Sequence, residues 1–369
     1  MSKSFSTGAW AETLLGAPSA TVSGDRIFTS ALMARDATST ESQAQQVFRT
    51  VVDILHGQGA ALSDVIRTRM FYTDEDSLEV LKIIHSVVFN SPGPVMTAVR
   101  VDCLPRDSKV ALEIEAIKGG GAAARHIGID AETSSCRAIR IGDEFFGAGY
   151  QGEAGQSHDA QMDATYAAAS ATLIEAGMSE SDVAATRHYY ADSVDDETDG
   201  TGKNEFMGHA EPTSAGICVH EPGASGNTFS LEIEAIADGE SRKNFRTGRT
   251  FEVENNYSRA VRVGDVIYVA GTTSIIPDEV IQHPGEVGPQ VDDTLAIIRD
   301  AIEQLGGAWT DVVRTRTYIV GGLPALDEAS ARLKANLVGT DSAATLMGVP
   351  ILGRPGVIVE IEATAVLEK

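Results

Sequence analysis

Two glutamates on one face of an apolar strand are the first candidates for chemistry in this chain. The phrase LEIEAI at 112–117 recurs letter for letter at 231–236, and VEIEAT follows at 359–364. Side chains alternate faces along a strand, so Glu113 and Glu115 share one face while Leu112, Ile114 and Ala116 share the other. Two carboxylates about 7 Å apart on one face repel each other and resist burial, and so need water or cations beside them. A carboxylate whose pKa is raised by partial burial can orient water or act as a general base. Glu113, Glu232 and Glu360 are therefore the candidate catalytic residues, with structural pairing to arginine as the alternative role.

The cations stand in a second recurring motif: SDVIRTRMFY (63–72), SDVAATRHYY (181–190) and TDVVRTRTYI (310–319). Alternation puts Arg67 and Arg69 on one face, and Arg314 and Arg316 likewise, while Arg187 is alone in the middle copy. The arginine and glutamate faces are expected to meet on the helix-free side of the sheet, around a water-containing interior.

Other reactive residues are more scattered. Ser214 could act as a nucleophile only with a base nearby. His188, His209 and His220, with Asp192, lack HxxxH or HExxH spacing, so no metal site is expected. His188 shares the Thr186/Tyr190 face and should point towards the helices. Cys103, Cys136 and Cys218 form no CxxC pair. No GxGxxG or P-loop occurs, so no cofactor is expected.

The elements that position these residues recur three times. A Gly-Asp turn precedes a strand in VSGDRIFTSA (22–31), RIGDEFFGAG (140–149) and RVGDVIYVAG (262–271). Asp64, Asp182 and Asp311 are 118 and 129 residues apart, which sets a unit of about 120 residues. Each hairpin leads into an amphipathic helix: Val47, Val51 and Leu55, then Met162, Tyr166, Ala169 and Leu173, then Val291, Leu295, Ile298, Ile302 and Leu305. The expected units are 1–120, 130–238 and 252–369, separated by KGGGAAARH (118–126) and the polar stretch 237–250. A second helix in the first unit carries Leu78, Leu81, His85 and Val88 on one face. The corresponding stretch of the second unit, VDDETDGTGKNEF (194–206), reads instead as an acidic loop replacing that helix, either by ordinary surface drift or as an opened cleft or a lid. The fold class is α+β, with helices on one side of each sheet.

Composition bounds the partners. The formal charge of −24 disfavours nucleic acid. No apolar run reaches membrane-spanning length, and no signal peptide is visible, so a cytoplasmic location is the expectation. The scarcity of lysine beside aspartate and glutamate is typical of salt-adapted proteins.

Taken together, YSRAVRVGDVIYVAGT (257–272), DVVRTRTYIV (311–320), GRPGVIVEIEATAV (353–366) and LPRDSKVALEIEAI (104–117) resemble the Rid/YjgF family of reactive-intermediate deaminases. The resemblance implies a chorismate-mutase-like fold, inward-facing sheets around a threefold axis and ligand sites between subunits. Three fused copies then imply an intramolecular pseudo-trimer, with further self-association left open. The family arginine that holds a substrate carboxylate maps to Met96, Ser214 and Ala344, so no copy keeps it. The family tyrosine maps to Tyr257, with Ala17 and Ser135 in the other copies, and its glutamate maps to Glu113, Glu232 and Glu360. Tyr257, Arg69, Arg187, Arg316 and Ser214 are the substrate-binding candidates. The implied function is hydrolysis or deamination of a small enamine, imine or amide-like metabolite in fewer than three clefts, those bounded by the third unit being most family-like. Two alternatives are a noncatalytic metabolite binder using the same clefts and a three-unit cyclic-amide hydrolase with Ser–Lys pairs, for which Lys82, Lys203 and Lys334 show no matching serine pattern.

Overall fold

A computed structural model describes residues 3–34, 39–193, 201–237 and 241–367. The first run of elements is a hairpin (Ala20–Ser23, Arg26–Thr29), a helix (Thr40–Gly57), a strand bearing the arginines (Val65–Tyr72), a helix (Ser77–Val88), a strand (Val95–Arg100) and a strand bearing the glutamates (Val110–Ile117). The same order recurs with arginine strands Val183–Ala191 and Val312–Ile319 and glutamate strands Phe229–Ile236 and Val359–Val366. In each case the glutamate strand lies between the hairpin and the arginine strand. Beyond the arginine strand is its parallel neighbour, reached by a helical crossover. A parallel bridge between Val95 and Cys136 joins the first two runs into one sheet, while the third forms a separate six-stranded sheet. The fold is α+β.

The helical periods predict the buried faces. Ser39 caps the helix Thr40–Gly57 by accepting from the Ser42 backbone N–H at 3.2 Å, and Val47, Val51 and Leu55 are buried with Phe48 and Ile54 between them. Met162, Tyr166, Ala169 and Leu173 are buried on the helix His158–Glu175, and Val291, Leu295, Ile298 and Ile302 on Val287–Gln304. Leu305 packs just past the end of that helix.

Two expectations are corrected. The acidic loop falls partly outside the described residues, at 194–200, but Thr201–Gly208 is a helix. Phe206 and Met207 are buried on it, and the Phe206 ring lies 5.3 Å from that of Tyr166. One apolar pair seated on the core suffices to hold these two turns, although the sequence has no long apolar period there. The polar stretch 237–250 is also more than a linker. It contains the strand Lys243–Phe245, paired with Ala260–Val263, and a short helix, Thr250–Glu254, follows. Lys3–Phe5 and Trp10–Leu15 form the same pair of elements 240 residues earlier. In both places a threonine backbone N–H, Thr7 or Thr247, donates to a glutamate five residues on, Glu12 or Glu252.

Candidate active site

The arginine and glutamate faces do meet, but each arginine strand reaches the glutamates of a different run. Arg69 holds Glu232 by two nitrogens at 2.7 and 2.9 Å, and Arg67 pairs with Glu234. Arg187 donates from Nε to Glu362 at 2.7 Å. Arg316 donates from Nε to Glu113 at 2.8 Å, and Arg314 from Nη1 to Glu115 at 3.1 Å. The pairs therefore run first to second, second to third and third to first. Thr97 and Thr345 add hydroxyl bonds to Glu232 and Glu113. Five guanidiniums face five carboxylates here.

This interior is closed to solvent, contrary to the expectation of a water-containing one. Arg67, Arg69, Glu113 and Glu232 are each no more than 1 % exposed. Buried charges persist in such a place when paired, and charge-assisted bonds supply that pairing here, although among the described residues Arg67 Nε is left without an acceptor. Burial pushes the Glu232 carboxyl up, but Arg69, Arg187 and Arg67 outweigh it and hold it well below the usual range. Glu113 is lowered for the same reasons, against burial, by Arg316 and Arg69, and Glu362 falls to about 2 against burial through Arg187 and Arg316. Of the predicted site residues, Glu113, Glu232, Arg69, Arg187 and Arg316 thus belong to this ion-pair network, and none of them lines the three clefts described below.

The strand register explains why Glu360 differs from the two glutamates it matches in letters. Glu113 lies opposite Arg69, Glu232 opposite Arg187, and Glu362 opposite Arg316. Glu360 lies opposite Tyr318, a level occupied by Ala111 and Ser230 in the other strands. The repeated phrase is thus displaced by two residues in the last strand, and a lettered alignment equates the wrong carboxylates.

Glu360 lines a cleft of about 220 Å³ together with Tyr257 and Ser214, so three of the predicted residues do come together. Tyr257 stands just before the hairpin strand Ala260–Val263, Glu360 on Val359–Val366, and Ser214 on Thr213–Val219. Gly271 makes room for the carboxylate, because a Cβ there would collide with Glu360 Oε1. Arg259 is fully buried and fixes the tyrosine. Its Nε donates to Glu252 at 3.0 Å, Nη1 to the Gly271 carbonyl at 2.7 Å, and Nη2 to the Tyr257 hydroxyl at 3.1 Å. Because Tyr257 accepts that bond, its own proton is free to point into the cleft.

Ser214 has the partner that sequence reasoning did not find. His188 Nδ1 is 3.2 Å from Ser214 Oγ, and His188 Nε2 is 3.0 Å from the Tyr166 hydroxyl. The strand pairing sets Thr186 opposite Ser214, which places Ser214 and His188 on one face, towards the helices as expected for His188. Burial, then Lys203 and Arg187, push His188 well below its ordinary pKa, so the imidazole is neutral. Lys203, from the helix Thr201–Gly208, donates to Asn255 Oδ1 at 3.3 Å. Arg249, Arg259, Arg354 and Lys203 all line this cleft, an unusual density of positive charge in a chain of net charge −24. Sequence reasoning missed Arg249 and Arg259. The signal was present in KSFSTG (3–8) and KNFRTG (243–248), which mark the segment before the hairpin as part of the repeat.

Two further clefts occupy related places. One, of about 380 Å³, is lined by Met96, Ser135 and Ser230, and another, of about 250 Å³, by Ala17, Ala31 and Trp10. Counted from their hairpin turns, Ser135 and Ala17 stand where Tyr257 does.

The sequence profile described as Endoribonuclease L-PSP matches residues 16–118 and 247–367, more than half of the chain. The chain belongs to the Rid/YjgF family. Among curated relatives, a RutC family protein of Leuconostoc mesenteroides subsp. cremoris is 29% identical over 84 residues, covering 22% of this chain and 65% of the relative. The chloroplastic Reactive Intermediate Deaminase A of Arabidopsis thaliana is 29% identical over 75 residues, covering 20% of this chain and 40% of the relative. The chain thus matches less than two thirds of the length of either protein. A solved chorismatase structure aligns over 82% of this chain and 93% of its own, with a TM-score of 0.56 and 18% identity, a likeness of fold. Among the described residues no helix is long and apolar enough to cross a membrane, and no group of His, Cys, Asp and Glu is placed to hold a metal.

Proposed function

We propose that the chain is a three-unit Rid-type enzyme folded as an intramolecular pseudo-trimer, with units near 1–120, 130–238 and 252–369. The third unit extends back to include 243–250. The cyclic order of the buried ion pairs supports this arrangement. The working site is the cleft holding Glu360, Tyr257 and Ser214, and the reaction is hydrolysis of a small imine, enamine or amide-like metabolite. The convergence of Glu360 and Tyr257 on one cleft is the observation that carries the reading, because those two residues stand where the family pattern has its glutamate and tyrosine.

In this reading Glu360 orients a water towards the C=N carbon and accepts its proton as the C–O bond forms. Tyr257, held by Arg259, hydrogen-bonds the substrate nitrogen. That proton passes to nitrogen to give a carbinolamine, a second one follows from its new hydroxyl as the C–N bond breaks, and ammonia and a carbonyl compound are released, consuming one water. Ser214 occupies the position of the family arginine and offers a neutral hydroxyl in place of a carboxylate fork. A second reading, amide hydrolysis with Ser214 as nucleophile, is favoured by its bond to His188. It is the weaker one, because burial and the Lys203 and Arg187 charges oppose the imidazolium that such a step must form.

The test is an imine-hydrolysis assay. An amino-acid oxidase generates 2-imino acids, semicarbazide traps them, and the purified protein competes with the trap. Chorismate, the substrate for which the structural neighbour is named, belongs in the same panel. Glu360→Gln is expected to abolish turnover in a folded protein. Glu232→Gln, by stranding Arg69 and Arg187, is expected to lower stability by about 3–5 kcal/mol. Unchanged turnover in Glu360→Gln would remove that residue from the mechanism, whereas no turnover on any member of the panel would sink the enzymatic reading and leave metabolite binding.

A further inference from the structure

We infer that Arg249 is the anion-holding residue of this cleft, and that the ligand is a small carboxylate. This rests on the cleft being the ligand site, as proposed above. Arg249 is 6 % exposed as a residue and lines the cleft with Tyr257 and Glu360. Among the described residues it makes no hydrogen bond or ion pair, and its Nε is buried without an acceptor.

That situation is exceptional in this protein. Among the described residues the other buried arginines, Arg67, Arg69, Arg187, Arg259, Arg314 and Arg316, each have a carboxylate within reach. A buried cation left unpaired is costly, and an arriving carboxylate recovers that cost through two parallel N–H···O bonds. Arg354 is also near but is already paired with Glu279 at 2.7 Å and is 40% exposed at its side chain. Arg259 is committed to Glu252, Gly271, Thr272 and Tyr257. Lys203 donates to Asn255 Oδ1. Among the described residues, Arg249 is therefore the arginine of this cleft left for a ligand.

Its place in the fold makes the assignment specific to the third run of elements. Arg249 precedes the short helix Thr250–Glu254, and its counterpart 240 residues earlier is Ala9, beside a cleft lined by alanines. The wall where the family arginine would stand instead carries Ser214. The charge needed to hold a carboxylate has thus moved from the strand after the second helix to the segment before the hairpin.

The test uses binding, so that it stands apart from turnover. Saturation-transfer NMR would follow 2-oxobutanoate and its uncharged counterpart 2-butanone against wild type, Arg249→Gln and Arg249→Lys, with circular dichroism to establish folding. Wild type is expected to bind the carboxylate saturably. Arg249→Gln should weaken it by roughly ten- to a hundredfold, the range expected for loss of a charge-assisted pair, and Arg249→Lys should recover part of that loss. The ketone should be insensitive to either change. Carboxylate binding equal in wild type and folded Arg249→Gln would overturn the assignment, as would absence of carboxylate binding to wild type. Arg249-dependent binding without imine turnover would uphold the clamp and count against the enzymatic reading. Turnover unaffected by Arg249→Gln would do the reverse.

Discussion

His85 shows how a single side chain ties this fold to pH. It is fully buried, with Nδ1 2.7 Å from the Thr133 carbonyl and Nε2 3.1 Å from Thr68 Oγ1, between the rings of Phe48 and Phe89. The carbonyl can only accept, so Nδ1 carries the proton and Nε2 accepts from the threonine. Burial lowers its pKa from 6.5 to about 4, despite the opposing bond to Thr133. The unfolded chain therefore binds more protons than the folded one between those values. The neutral histidine's contribution is complete above pH 6.5 and is lost as pH falls towards 4. We expect urea denaturation to show about 2 kcal/mol less stability from this group at pH 5 than at pH 7, and His85→Gln to flatten that part of the slope. An unchanged slope would contradict it. His188 titrates in the same direction. Glu362 acts in a lower window: its pKa is depressed, so its contribution is present above 4.5 and is lost as pH falls towards 2.

At the scale of elements, register decides what a repeated phrase means. Val110, Phe229 and Val359 each open a glutamate strand, yet Glu360 comes one residue after that start and Glu113 three after it. A displacement of two residues keeps every side chain on its expected face, which is why the meeting of glutamates and arginines could be read from alternation alone. It also moves each residue one level along the ladder, and letters carry no record of that. The helical faces were legible for the complementary reason, since an apolar period of three and four names the buried side directly. The helix at 201–208 was not, because two apolar residues in a polar segment make no period. The cleft itself depends on a close approach between hairpin and glutamate strand. Gly271→Ala would force the Glu360 carboxylate aside and press on the Ala215 backbone at 3.1 Å. The far end of a side chain yields more easily than a backbone, so we expect turnover or ligand affinity to fall at least about tenfold while the denaturation midpoint moves little. Unaltered ligand affinity would show that the carboxylate position is unimportant.

For the whole molecule, the ion pairs make each run of elements incomplete alone. A fragment spanning 241–367 would present Arg316 and Arg314 without Glu113 and Glu115. In a ring of three identical fragments Arg316 could still meet a neighbour's Glu362, as Arg187 does here, but Arg314 would meet Thr364, the residue opposite it in its own sheet. The expected result by light scattering is therefore a homotrimer of reduced stability, and a well-folded monomer would refute the closed-ring arrangement. The intact chain of 38.9 kDa carries the diverse set of partners within itself.

The unequal clefts also fix a stoichiometry. A ligand that requires both the tyrosine and the off-register carboxylate finds them together once per chain, because serine or alanine stands at each position elsewhere. Occupancy should then rise as a simple hyperbola with a single equivalent bound. Unlike a ring of identical subunits, the described residues form no second such pair through which one bound ligand could sharpen or blunt the response to the next.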